Sequence, residues 1–277
     1  MATSSTSGTA AEKVAGDFQF LEGPVWVPDR NELLFSDIPA SRIYRYSPAT
    51  NSFSVFRELS GQANGNALDP QGRLVTCEHE NRRVSRTEPD STVIALATRY
   101  EGKRLNSPND IVCRSDGSVY FSDPPYGVKP ELRELDSHGV FRVSPDRNTL
   151  ALLARDFAKP NGLAFSPDER TLYIADTELG HIRAFDLNSD GTITNSRIFC
   201  MVKRPDGFRV DAEGSLYIST MKSVEVFSRA GGKIAEITLA ERPANVAFGD
   251  PDRQTLYICA RTSLYRARVN VPGVRMP

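Results

Sequence analysis

A short apolar strand, a Pro/Asp/Gly turn and a second strand carrying an aromatic recur six times along the 277-residue chain. The copies are "EGPVWVPDRNELLFSDI" from Glu22, "NGNALDPQGRLVTCEHE" from Asn64, "NDIVCRSDGSVYFSDPP" from Asn109, "NGLAFSPDERTLYIADT" from Asn161, "DGFRVDAEGSLYIST" from Asp206 and "ANVAFGDPDRQTLYICART" from Ala244. Their spacings are 42, 45, 52, 45 and 38 residues. A third strand follows each pair, as in "RIYRYSP", "GVFRVSP" and "SLYRARV". Self-similarity at this period, all strand and without a helical period, is the mark of a β-propeller with four strands per blade. The expected fold is therefore all-β: a six-bladed β-propeller with about four antiparallel strands per blade. Two sandwiches would not need six copies in phase.

The last copy holds only three strands, and its fourth must come from elsewhere. The free segment is "VAGDFQFLEG", ahead of the first blade. An N-terminal strand paired into the last blade would close the ring and remove an exposed edge. Residues 1–13 read as a disordered lead-in and 14–277 as one propeller domain. The longest step carries "PPYGVKPELRELDSHG", an insertion expected to lie over one face of the disc, where binding usually sits.

Equivalent positions in the innermost strands of a propeller ring its central channel. The first aligned position reads Glu22, Asn64, Asn109, Asn161, Asp206, Ala244. Any single Asn or Asp before a strand is an ordinary turn residue. A whole column in phase calls for another reason. Carboxylate and carboxamide oxygens are what a hard cation takes, and two carboxylates match a divalent charge. No His or Cys stands in the column, which argues against zinc or copper. Ca²⁺ is thus the first candidate, with Mg²⁺, Mn²⁺ and Zn²⁺ behind it.

Composition narrows the alternatives. The net charge is −1 with both signs dispersed, so nothing favours nucleic acid or an anionic membrane surface. No apolar run reaches the roughly 20 residues that span a bilayer. The polar start "MATSSTSGTAAEKVAG" lacks the apolar segment of a signal peptide, so a cytoplasmic location is expected. Cys77, Cys113, Cys200 and Cys259 are scattered without zinc spacing and read as buried free thiols, one disulfide being the alternative. Trp26 reads as blade packing, and His138 and His181 as solvated loop residues. There is no G-x-S-x-G element, and no His is marked as the base of a triad.

The motifs "LEGPVW", "LNSPNDIV", "KPNGLAFS" and "RPDGFRVD" resemble the SMP-30/gluconolactonase/luciferin-regenerating-enzyme family from about residue 14 to 270, in particular its bacterial gluconolactonase branch. The resemblance implies one catalytic divalent cation, commonly Ca²⁺, held by Glu22, Asn109, Asn161 and Asp206. It also implies that Asp206 serves as general base or nucleophile. The animal branch carries an Arg two residues before the blade-three Asn. Here that position is Ser107, and the nearest base is Arg104. Arg104, Asn106, Asn64, Glu78, His79 and Tyr126 are the polar residues expected to face a substrate from strand ends or top loops. The implied reaction is hydrolysis of a small lactone, glucono-1,5-lactone to gluconate, by a monomer or dimer. The same centre acting on another lactone or an organophosphate is the second reading. A non-catalytic propeller that binds protein is the third, and it lacks the Gly-His…Trp-Asp signature of such repeats.

Overall fold

The computed structural model describes residues 9–275, in which six antiparallel sheets stand as blades around a central channel. Their innermost strands touch in succession around the ring. Those strands are Leu21–Val27, Ala63–Leu68, Ile111–Cys113, Pro160–Phe165, Phe208–Val210 and Asn245–Gly249. Among the described residues no helix is long and apolar enough to cross a membrane.

Each blade is covered on both faces, so its middle strands are apolar almost throughout. Thr255–Ala260, "TLYICA", is buried at every position. The period of two then assigns alternate side chains to alternate neighbours. In blade three, Ile111 and Phe121 join a cluster with blade two, whereas Val112 and Tyr120 join one with blade four. Six such clusters occur, one at each boundary between adjacent blades. Trp26 belongs to the cluster of blades six and one, stacked on Tyr257 at 5.9 Å, as blade packing requires. The turns explain the repeated Asp and Gly. Asp116 accepts the Ser118 N–H at 2.8 Å and Asp211 the Ser215 N–H at 2.8 Å, the side-chain turn that Asp favours. All four cysteines are buried and free.

Closure uses the N-terminal segment. Glu12–Ala15 pairs antiparallel with Ser263–Arg268 and supplies the fourth strand of blade six. Thr9–Ala10 adds a short parallel pairing to Lys233–Thr238 of blade five. The expected lead-in of residues 1–13 is therefore corrected. Residues 1–8 lie outside the described residues, and 9–13 already carry strand pairing. The closing strand also starts two residues before the expected segment. Its exit is fixed by the Phe18 ring, which meets Phe35 at 5.5 Å and Tyr44 at 5.2 Å.

Removing residues 1–16 should lower the thermal midpoint by about 5–10 °C, since it opens the blade-six edge and costs several kcal/mol in a chain of this size. Removing residues 1–8 should leave it unchanged. Scanning calorimetry of the two truncations checks this, and equal midpoints would mean that the strand does not hold the ring shut.

Candidate active site

The aligned column converges at one end of the channel because each of its residues stands within two residues of the start of an innermost strand. The loops entering these strands are fixed by an acid at the end of the second strand. Asp37 accepts the Gln19 and Phe20 N–H groups, each at 3.0 Å. Asp123 accepts those of Asn106 and Ser107 at 2.7 and 2.8 Å, and Asp176 those of Ala158 and Lys159 at 2.8 and 3.2 Å. Burial pushes Asp123 up to about 7 despite these two donors. The sequence signal for these anchors is the repeated acid in "SDI", "SDP" and "ADT".

Glu22, Asn64, Asn109, Asn161 and Asp206 are all buried, at 4–8% exposure. A chain of side-chain hydrogen bonds runs around half the ring. Asn64 Nδ2 donates to Asn109 Oδ1 at 2.6 Å, Asn109 Nδ2 to Asn161 Oδ1 at 2.8 Å, and Asn161 Nδ2 to Asp206 Oδ1 at 2.8 Å. Arg242 Nη2 completes it from the other side, 3.0 Å from Asp206 Oδ2. Ala244 offers no oxygen in its side chain, and the next residue fills the gap. Asn245 Nδ2 donates to Glu22 Oε2 at 3.0 Å, and the Gly23 N–H donates to the same oxygen at 2.9 Å. The backbones approach closely here. A Cβ on Gly65 would lie 2.5 Å from the Asn109 carbonyl oxygen, which accepts the Gly65 N–H at 2.8 Å.

The electrostatics are unfavourable for two anions. Burial, with Asp206 and Asp110 nearby, pushes Glu22 well above the usual carboxylate range. Burial also raises Asp206, although Arg242 and Asn161 pull it down. Asp110, one residue beyond Asn109, turns its own charge to Arg209 at 3.4 Å. Glu22 has no cationic partner among the described residues. Two buried carboxylates with amide oxygens between them form a donor set that fits a hard divalent cation.

The substrate candidates divide into two groups. Asn64 and Tyr126 meet the ring, the Tyr126 hydroxyl lying 3.4 Å from Asn161 Nδ2 on the inserted loop. His79 joins them through its Nε2, 3.0 Å from Asn64 Nδ2. The Gly127 N–H donates to Ser107 Oγ at 2.8 Å, so Ser107 pins this loop down.

Glu78, Asn106 and Arg104 make no hydrogen bond to the ring residues among the described residues, and they hydrogen-bond elsewhere. Glu78 is blade two's counterpart of Asp37 and Asp176, and its carboxylate is taken up by Arg57 at 2.8 Å and Arg83 at 2.7 Å, with Ser85 and Asn81. Asn106 is fully buried and donates to the carbonyls of Asp123 and Ser137. Arg104 reaches the Asn81 carbonyl at 3.3 Å, behind the inserted loop. Of the two remaining histidines, only His181 departs from the expected solvated position. His181 is buried in the third strand of blade four, and His138 is half-buried with Nδ1 2.6 Å from the Ala158 carbonyl. Arg242, Asn245 and Asp110 escaped the sequence reading.

Burial lowers His79 to about 4, so the ring is neutral near pH 7, and the Asn64 Nδ2 facing it calls for the tautomer with an unprotonated Nε2. The folded value lies below the unfolded one of about 6.5, so this group's contribution is present above pH 6.5 and is lost as pH falls through about 4. Urea unfolding of chelator-treated protein should show stability declining across that window. In His79→Gln that part of the slope should disappear, and an unchanged slope would show that His79 takes up its proton in the folded state.

The family model described as the SMP-30/Gluconolactonase/LRE-like region matches residues 20–262. A gluconolactonase of Zymomonas mobilis is 32% identical, with 96% of this chain and 83% of that protein aligned. The pentonolactonase XacC of Haloferax volcanii is 26% identical over 86% of this chain and 80% of its own. Among solved structures, a gluconolactonase from Xanthomonas campestris superposes with a TM-score of 0.87 at 36% identity, covering 94% of this chain and 88% of that one. A calcium-binding regucalcin from Agrobacterium tumefaciens shares the fold at a TM-score of 0.83 and 18% identity, over 98% and 97% of the two chains. The chain belongs to the SMP-30/gluconolactonase/LRE-like family.

Proposed function

We propose that this protein hydrolyses a sugar lactone, glucono-1,5-lactone to gluconate, at a divalent cation held by Glu22, Asn109, Asn161 and Asp206. The observation that carries the reading is the buried oxygen ring, in which Glu22 meets no Lys or Arg side chain among the described residues. The gluconolactonase and pentonolactonase relatives support the substrate class. Ca²⁺ is the preferred ion, on the all-oxygen donor set.

A divalent cation, when bound, would polarise the lactone carbonyl and make water more acidic. The chain's own residues then have separable tasks. Asp206, held by Asn161 on one oxygen and Arg242 on the other, takes the proton of the attacking water. It returns that proton to the ring oxygen as the acyl C–O bond breaks, so the balance is lactone plus water to hydroxy acid. Asn64 fixes the Asn109 amide, and neutral His79 fixes Asn64. Tyr126 sets a hydroxyl beside Asn161 where the polyol of a sugar needs a partner.

Chelation should abolish hydrolysis of glucono-1,5-lactone, and Ca²⁺ should restore it. A pentonolactone and a phosphotriester in the same panel test the substrate class. Activity untouched by chelator would refute the cation. Asp206→Asn keeps an oxygen for the cation but cannot accept a proton, so kcat should fall by about 10² or more. Asn161→Asp adds a third carboxylate, tightens cation binding and should cost less. Near-full activity of Asp206→Asn would reduce Asp206 to a ligand.

A further inference from the structure

The column two residues ahead of the ring reads Phe20, Gln62, Ser107, Lys159, Arg204, Arg242. Three neighbouring blades thus carry a cation at the rim, and their three side chains are used differently. Lys159 turns outward to Glu178 at 3.2 Å. Arg204 is exposed and makes no ion pair among the described residues. Arg242 alone turns onto the ring, with Nη2 3.0 Å from Asp206 Oδ2 and a side chain 24% exposed. Its Nε is shut away from solvent without an acceptor, an unfavourable state for a buried donor, and Nη1 makes no hydrogen bond among the described residues.

The charges of the reaction give this arrangement a use. A lactone enters neutral and leaves as a carboxylate. The carboxylates of Glu22 and Asp206 would match one divalent cation, so the new carboxylate is the charge for which the ring itself has no partner. A guanidinium is planar, permanently charged and suited to two parallel bonds to one carboxylate, and Arg242 spends only one donor on Asp206. Resting on the lactonase reading, we infer that Arg242 is the contact for the carboxylate formed in hydrolysis, and that it distinguishes the open hydroxy acid from the closed lactone. Arg242 does so from blade six, whereas blade three carries Ser107 at the equivalent position and uses it to hold the inserted loop.

The test uses the full chain loaded with Ca²⁺, as wild type, Arg242→Met and Arg242→Lys. Gluconate binding by calorimetry needs no turnover. Arg242→Met should weaken it about tenfold or more, the scale of a lost charge-assisted hydrogen bond. kcat should fall too, because Arg242 also orients Asp206, but the loss of gluconate affinity should exceed any change in the neutral lactone's KM or in Ca²⁺ affinity by about fivefold or more. Arg242→Lys should recover part of the gluconate affinity. Gluconate affinity unchanged in Arg242→Met would overturn the inference. So would a joint fall of similar size in gluconate, lactone and Ca²⁺ affinity, which would show that Arg242 only holds Asp206 in place. Absence of lactone turnover in the wild type is a separate result and refutes the lactonase reading itself.

Discussion

Every blade of this protein is apolar on both faces, so no blade can stand at a free edge. That constraint forces the ring to close, and six apolar clusters at the blade boundaries are its outcome. Closure depends on Glu12–Ala15, which travels from the far end of the sequence to pair with Ser263–Arg268. Glu22 follows within the same turn of chain and is thereby set against Asn245, 223 residues away. The candidate site is thus a product of closure: its first and last contributors meet only when the ring is complete.

Once the ring is shut, the same packing that excludes water raises the cost of charge inside it. Glu22 and Asp206 are both pushed up by burial, and only Asp206 is given an arginine. A compact core would ordinarily replace such a pair with apolar side chains or supply a counter-charge. Here the acid–amide circuit is kept, with the entry loops held by Asp37, Asp123 and Asp176 so that the ring residues cannot turn away. The asymmetry between Glu22 and Asp206 divides their work. Glu22 is the anion that most needs a cation, and Asp206 is the one kept in a defined orientation.

The fold was legible because its signals are local and repeated: Asp/Gly turns, β-branched and aromatic strands, and a period of 38–52 residues. The ring was legible for the same reason, since equal offsets in equal blades reach the same place. What is not legible there depends on partners distant in sequence. Glu78 reads from the sequence as a polar strand-end residue, yet Arg57 and Arg83 take up its carboxylate. Asn106 looked like a loop amide, yet it is turned into the carbonyls of Asp123 and Ser137. Blade six breaks the pattern, because its column position is an alanine. The polar group it contributes is the Asn245 side-chain amide N–H, one residue later, and its charge comes from Arg242, two residues earlier. His181 reads from the sequence as a solvated side chain, yet it opens the third strand of blade four and is buried there.

The donor set of the ring calls for one divalent cation. Anomalous diffraction from crystals soaked in Mn²⁺, a stronger anomalous scatterer than Ca²⁺, tests this directly. One peak should appear per chain, between the oxygens of Glu22, Asn109, Asn161 and Asp206, and it should be competed away by excess Ca²⁺. A ring without a peak, or a peak only at surface carboxylates, would contradict it.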